Sequence, residues 1–189
     1  LIRGAGEKGL CAGGDVVSLR ASLLAGRFAE AEEFFRDEYA MNERIAAYPK
    51  PYVAFMDGIV LGGGMGVSAH GSHRVATERT RAGMPETAIG FTPDVGGSFH
   101  LARAPFQAGR HLAATSAHAS GSDAVALGLS THHVSSETLD EIAAAKAARP
   151  LADLDAHDSQ EVFAAIRRAN PGGLGQAGIM GVSINRGRS

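Results

Sequence analysis

Short apolar runs that alternate with segments of helical period predict an α/β fold whose strands present their loops along one edge. Two further observations set its scale. The 189 residues suffice for one domain with its own apolar core. The 25 glycines gather in clusters at the ends of apolar runs, where backbone geometry is most demanding.

Leu1-Ile2-Arg3 reads as a strand, 4–9 as a turn, and Leu10-Cys11-Ala12 as a short apolar return toward Gly13-Gly14-Asp15. Asp15 is placed to cap a weakly helical stretch from Val16 to Ala25. Phe28, Ala31, Phe34, Phe35, Glu38, Met41 and Ile45 recur at helical spacing and predict a buried stripe, in which Glu38 is the odd member. Pro49 and Pro51 stop that helix, because proline supplies no ladder N–H and disfavours a helical residue before it. Tyr52 to Met56 is then a strand, Asp57-Gly58 a turn, and Ile59-Val60-Leu61 a further apolar run feeding Gly62-Gly63-Gly64. Met65 to His70 reads as a closely packed helix start, so the glycine turn presents N–H groups. Arg74 to Ala76 and Ala82 to Met84 are strand candidates, the second running into Pro85-Glu86 and a loop through Pro93-Asp94. Helices follow over 96–102, 106–115 and 122–127, then a strand over 131–134 and helices over 139–149 and 159–168. Regular patterning stops after Asn170-Pro171-Gly172-Gly173.

Hydrophobic residues make up 44%, charged residues 20% and aromatics 6%, a globular balance rather than a disordered one. No apolar run approaches the roughly 20 residues needed to span a bilayer. A formal charge of −2 asks for neither nucleic acid nor an anionic surface. The lone Cys11 excludes an internal disulfide and any Cys-pair metal or redox site, which fits a reducing compartment. The chain opens on Leu1 without an initiator Met, and reads as part of a longer protein.

Three motif matches carry little. Gly173-Leu174-Gly175-Gln176-Ala177-Gly178 has dinucleotide-binding spacing, but no strand precedes it, and a unit of about 30 residues does not fit in the remaining chain. Gly66-Val67-Ser68-Ala69-His70 approximates a nucleophile elbow without its last glycine, so Ser68 reads as a small packing residue. His70 and His73 are spaced i, i+3 with no third ligand nearby, and read as surface or hydrogen-bonded histidines; no metal site is expected.

Two segments are harder to explain locally. Cys11-Ala12-Gly13-Gly14-Asp15 and Gly62-Gly63-Gly64 each follow an apolar run. Both fit tight turns, and both fit a pair of unhindered backbone N–H groups that could converge on an oxyanion. The run from Met84 to Gly97 sets Glu86 and Asp94 among Met84, Ile89, Phe91 and Val95. Apolar neighbours would partly desolvate both carboxylates and raise their pKa values, which suits acid–base work; two loop carboxylates are the plainer alternative.

Together these blocks resemble the crotonase, or enoyl-CoA hydratase/isomerase, superfamily, and within it the 3-hydroxyisobutyryl-CoA hydrolase branch. The likeness rests on Leu10 to Asp15, Lys50-Pro51-Tyr52-Val53-Ala54, Asp57 to Gly64, and Met84 to Gly97, in that order. It implies a crotonase-like (ClpP/crotonase) spiral of short ββα units, lacking its N-terminal strands and part of its C-terminal helical region. The core would occupy 1–134, the C-terminal helical region 135–170, and an irregular tail without resemblance 171–189.

By the same resemblance the amides of Gly14 and Gly63 polarise a thioester oxygen, Glu86 is the acid/base glutamate, and Asp94 is the hydrolase branch's second acid. Glu38 matches a substrate-contacting glutamate of that branch. Hydratases carry a second catalytic glutamate just after the triple glycine, where this chain has Gly66. The implied activity is hydrolysis of 3-hydroxyisobutyryl-CoA, a step of valine catabolism, with Glu86 as nucleophile or as general base. Hydratase/isomerase activity and a non-catalytic acyl-CoA-binding module are the alternatives. Coenzyme A enters as part of the substrate and no other cofactor is implied. A homo-oligomer, a trimer or another multiple, and a location in the cytoplasm, or the mitochondrial matrix in a eukaryote, complete the expectation.

Overall fold

In the computed structural model, which describes residues 1–147, the chain passes back and forth between two sheets. In chain order the elements are β1 (Gly9–Cys11), α1 (Val16–Leu24), α2 (Phe28–Ala46), β2 (Val53–Met56), β3 (Ile59–Leu61), α3 (Gly63–Ser68), β4 (His73–Ala76) and β5 (Arg81–Gly83). A 3-10 turn over Glu86–Ile89 leads to α4 (Gly97–Leu101), α5 (Ala108–Thr115), β6 (Ala119–Ser120), α6 (Gly121–Ala126), β7 (His132–His133) and α7 (Leu139–Ala147).

One sheet has the order β1-β3-β5-β6 and the other β2-β4-β7. Successive strands from β1 to β5 fall in alternate sheets, so each circuit lays one strand in each. Strands laid at the same point of successive circuits run the same way, and every pairing is parallel except β5 with β6. This is the spiral of ββα units that the resemblance implies.

Two of the sheet changes, β2 to β3 and β4 to β5, are tight, polar corners. At the first, Gly58 holds a φ of +67°, and a Cβ there would stand 2.7 Å from the Lys8 carbonyl, so glycine is required twice over. At the second, the Thr80 hydroxyl accepts from the Thr77 N–H at 2.8 Å and donates to the Met56 carbonyl. The Thr77 hydroxyl donates to Asp57 at 2.6 Å, which ties the second corner to the first and explains two buried threonines.

All four residues of β2 are buried, as expected for a parallel strand covered on both faces. Val53 and Phe55 pack with Val75, Val134, Leu139 and Ile142, so α7 covers this side of the three-stranded sheet. Met56 belongs to the larger core with Val60, Met65, Met84, Leu101, Leu112 and Leu129. Burying a side chain of this size stabilises by about 1.5–3 kcal/mol.

Several expectations shift. Leu1 to Arg3 contracts to one bridge between Ile2 and Ala54, because the next residue, Arg3, turns its side chain to Asp140 on α7. The helix expected over 106–115 begins with a 3-10 turn in which Phe106 and Gln107 take φ of 55° and 60°, so α5 starts at Ala108. The two-residue β6 is too short for sequence periodicity to show. The stripe on α2 is not core: only Ala31 and Asn42 are buried, and Phe28 is 67% exposed. The helix expected over 159–168, the irregular tail and the glycine motif at 173–178 lie outside the described residues. No described helix is long and apolar enough to cross a membrane.

Candidate active site

Three adjacent parallel strands of one sheet end at the same edge, and the residues beyond them assemble the site. β1 leads to Gly13-Gly14, β3 to Gly62-Gly63, and β5 to Glu86 on its 3-10 turn. Neighbouring strands lie about 4.8 Å apart, so segments distant in sequence are forced together. A Cβ built on Gly63 would stand 3.5 Å from the Gly14 nitrogen and 2.6 Å from Glu38 Oε1. One on Gly62 would stand 2.8 Å from Glu86 Oε1. Side chains at either position would therefore block the approach of the two carboxylates to the glycine backbone.

Gly63 is the first residue of α3, where an N–H has no acceptor within its own helix. The Gly14 N–H makes no hydrogen bond among the described residues. Beside them is a cavity of about 340 Å³ lined by Cys11, Gly14, Phe34, Glu38, Met41 and Gly63, among others. The α2 stripe thus has a different use: Phe34, Glu38 and Met41 face this cavity, which accounts for a carboxylate among apolar residues.

The structure brings Gly14, Gly63, Glu38 and Glu86 together around the glycine pair. Asp94 stands apart from that cavity's lining. Its carboxylate accepts a 2.8 Å hydrogen bond from the Tyr39 hydroxyl, and its carbonyl accepts from the Gly97 N–H. Next to it, Tyr39, Asn42, His70, Val95 and Gly96 border a second cavity of about 210 Å³. A Cβ on Gly66 would stand 2.8 Å from Val95 Cβ and 2.9 Å from Asn42 Oδ1, so that position is walled off.

Burial raises the Glu86 carboxyl above its usual range; its own backbone N–H offsets part of this, and Asp94 and Glu38 add to it. Glu86 is 7% exposed, and its Oε2 has no hydrogen-bond partner among the described residues. Burial also raises Glu38, with Asp94 contributing. Burial first, and then the hydrogen bond to Asp94, push the Tyr39 hydroxyl upward and keep it a donor. Glu86 and Glu38 thus each hold a proton more tightly than an isolated carboxylic acid would.

The apolar surroundings expected for Glu86 and Asp94 divide. Met84 and Val95 are buried, whereas Ile89 is 65% and Phe91 43% exposed, with the Phe91 ring stacked on Phe35. Desolvation therefore acts from the core side only. Ser68 is fully buried and its hydroxyl donates to the Gly64 carbonyl at 2.7 Å, which leaves it no nucleophilic role. His70 pairs with Val95 and His73 lies in β4. No group of three possible metal ligands occurs among the described residues.

Two residues were not singled out from sequence. Tyr39 holds Asp94, and Asn42 is buried with both side-chain amide atoms unpartnered among the described residues. Asn42 follows Glu38 by four positions, a second polar residue on an otherwise apolar helix face, and that was a readable signal. Tyr39 offered none, because its partner lies in a distant loop.

Compared with known proteins, residues 1–174 match the family model described as Enoyl-CoA hydratase/isomerase. The mitochondrial 3-hydroxyisobutyryl-CoA hydrolase of Xenopus tropicalis is 50% identical over 141 residues, which cover 74% of this chain and 36% of that protein. Small ribosomal subunit protein mS47 of Neurospora crassa is 48% identical over 141 residues, 74% of this chain and 28% of its own. Among solved structures, a carnitinyl-CoA dehydratase from Mycobacterium thermoresistibile superposes with a TM-score of 0.76 at 48% identity, over 87% of this chain and 45% of that one. The chain spans about a third of the length of the curated relatives it matches.

Proposed function

Because the chain belongs to the enoyl-CoA hydratase/isomerase family, we propose that the full protein hydrolyses an acyl-coenzyme A thioester, with 3-hydroxyisobutyryl-CoA as substrate. The observation that carries this reading is the wall at Gly66. Hydratases of the family are expected to keep a second glutamate there, but here Val95 and Asn42 fill the space a side chain would need. The second acid is then Asp94, held by Tyr39. The hydrolase relative supports the same branch.

The thioester carbonyl sits against the Gly14 and Gly63 N–H groups, which stabilise the oxyanion as it develops; one such donor is typically worth about 3 kcal/mol. Glu86 attacks the carbonyl carbon, or removes a proton from the water that does. The C–S bond breaks as the C–O bond forms, and Asp94 assists proton delivery to the departing thiolate. Water supplies the oxygen and both protons, giving the carboxylic acid and free coenzyme A. Glu38 contacts the acyl group from the cavity wall. No cofactor beyond the substrate's coenzyme A takes part.

Free-thiol release from 3-hydroxyisobutyryl-CoA by the full-length protein tests the reading. It is expected for the wild type and nearly lost in Glu86→Gln and Asp94→Asn. Loss of enoyl absorbance from crotonyl-CoA without thiol release would instead establish a hydratase. Single-turnover hydrolysis in 18O-water can establish Glu86 as nucleophile, since water attacking the glutamyl carbonyl of an anhydride leaves label in the protein, whereas a general base acquires none.

A second reading, a non-catalytic module within an assembly, draws on the relative named as a ribosomal subunit protein. Calorimetry that finds acyl-CoA binding without turnover would select it. A homo-oligomer and a reducing compartment, the cytoplasm or a mitochondrial matrix, accompany the enzymatic reading. The single cysteine and the mitochondrial relative support the latter.

A further inference from the structure

The segment that carries Asp94 has an unusual backbone. Val95 takes a φ of 44° although it is β-branched, and it is 3% exposed. Gly96 follows at 75°. A β-branched residue enters this region only where its surroundings impose it. The Val95 side chain packs beside Gly66, where a Cβ would stand 2.8 Å from its own Cβ. On the carbonyl side, His70 Nε2 lies 2.7 Å from the Val95 oxygen. A carbonyl only accepts, so this nitrogen carries the proton.

The ring is itself gripped. A Cβ on Gly96 would stand 2.5 Å from His70 Cε1, so the imidazole lies directly on that glycine. From α4, His100 Nε2 faces His70 Nδ1 at 3.4 Å, with ring centroids 5.0 Å apart. Burial, followed by His70, Arg74 and Arg103, lowers His100 to about 4, so near neutral pH it is an uncharged ring with one N–H to give. That N–H suits the free Nδ1 of His70 and leaves Nε2–H for Val95.

We propose that His70 is a positioning residue for Asp94: its Nε2–H holds the Val95 carbonyl, fixes the left-handed backbone of Val95, and so aims the preceding carboxylate at the reacting thioester. Tyr39 fixes the carboxylate from its oxygen end and His70 from its backbone end. The inference rests on the catalytic assignment of Asp94 made above.

A double-mutant cycle with the full-length protein tests it, read as kcat and KM for thiol release. His70→Leu is expected to lower kcat about tenfold while KM stays within about twofold, since a misplaced group costs rate rather than binding. His70→Gln, whose side-chain N–H reaches the position of Nε2, is expected to retain wild-type kcat within about threefold. In an Asp94→Asn background His70→Leu should change kcat by less than about twofold, because the group it positions is gone. An equal loss in both backgrounds, or full kcat in His70→Leu, overturns the proposal. Unchanged turnover in Asp94→Asn alone removes the catalytic reading and this inference with it. Thermal unfolding is followed for each variant. Should His70→Leu not fold, His70→Asn, too short to reach Val95, takes its place with the same expected outcomes.

Discussion

Glu86 and Asp94 stand in one sequence run, yet the fold supports them by opposite means. Glu86 follows a strand of the four-stranded sheet, lies on an ordinary 3-10 turn, and is buried with one oxygen unpartnered among the described residues. Asp94 lies in a loop forced into left-handed geometry, half-buried, with a hydroxyl on its carboxylate. One acid is prepared by withdrawal from water, the other by being held. Burial sets proton affinity, whereas restraint sets direction, so the two residues should fail in different ways.

Replacing Glu86 gives the largest effect. Glu86→Gln is expected to lower kcat for thiol release by about a thousandfold, roughly 4 kcal/mol of barrier. Asp94→Asn should cost about a hundredfold, less because the oxyanion donors and Glu86 remain. Equal losses would erase the distinction. Gly66→Ala pushes on Val95 and Asn42, and urea unfolding should show about 1–3 kcal/mol of destabilisation. Tyr39→Phe removes one restraint from an otherwise clamped loop, and a fall in kcat of about threefold is expected.

The smallest effect concerns stability. Burial raises the folded-state pKa of Glu86 above that of an ordinary glutamate and so favours the neutral acid. Its contribution to stability is complete below the unfolded pKa and is lost as pH rises through the folded one. Glu86→Gln should therefore melt about 1–3 °C above wild type at pH 7.5, with the gap closing below about pH 4. A gap that persists in acid would mean that burial of the charge is not its cause. The inactive variant would then be the more stable protein near neutrality.

Much of this was legible in sequence, for identifiable reasons. β3 has the expected limits and β2 begins one residue later, because a proline pair and Asp57-Gly58 bracket them. Asp15 accepts from the N–H groups of Val17 and Ser18 and caps α1 as its position suggests. The convergence of two glycine turns with Glu86 followed from the blocks that carry the resemblance. The alternation of strands between two sheets was legible only through the resemblance, since periodicity reports which face is apolar and not which sheet a strand joins. The burial expected along α2 failed for a related reason: helical spacing marks a shared face, and here that face turns toward a cavity. The hold on Asp94 by Tyr39 joins residues 55 positions apart, with no local trace.

The delivery of the site by three successive strand ends has a consequence for how its chemistry can change. The Gly13-Gly14 corner, the Gly62-Gly63 corner and the Glu86 turn are separate fittings on one rack, each fixed by its own strand. Exchanging one leaves the spacing of the other two intact, since the ladder and not the loops sets it. A lineage built on this rack can trade one reaction for another by altering a single fitting while the placement of the other two is kept. It can also lose turnover altogether and retain the shape.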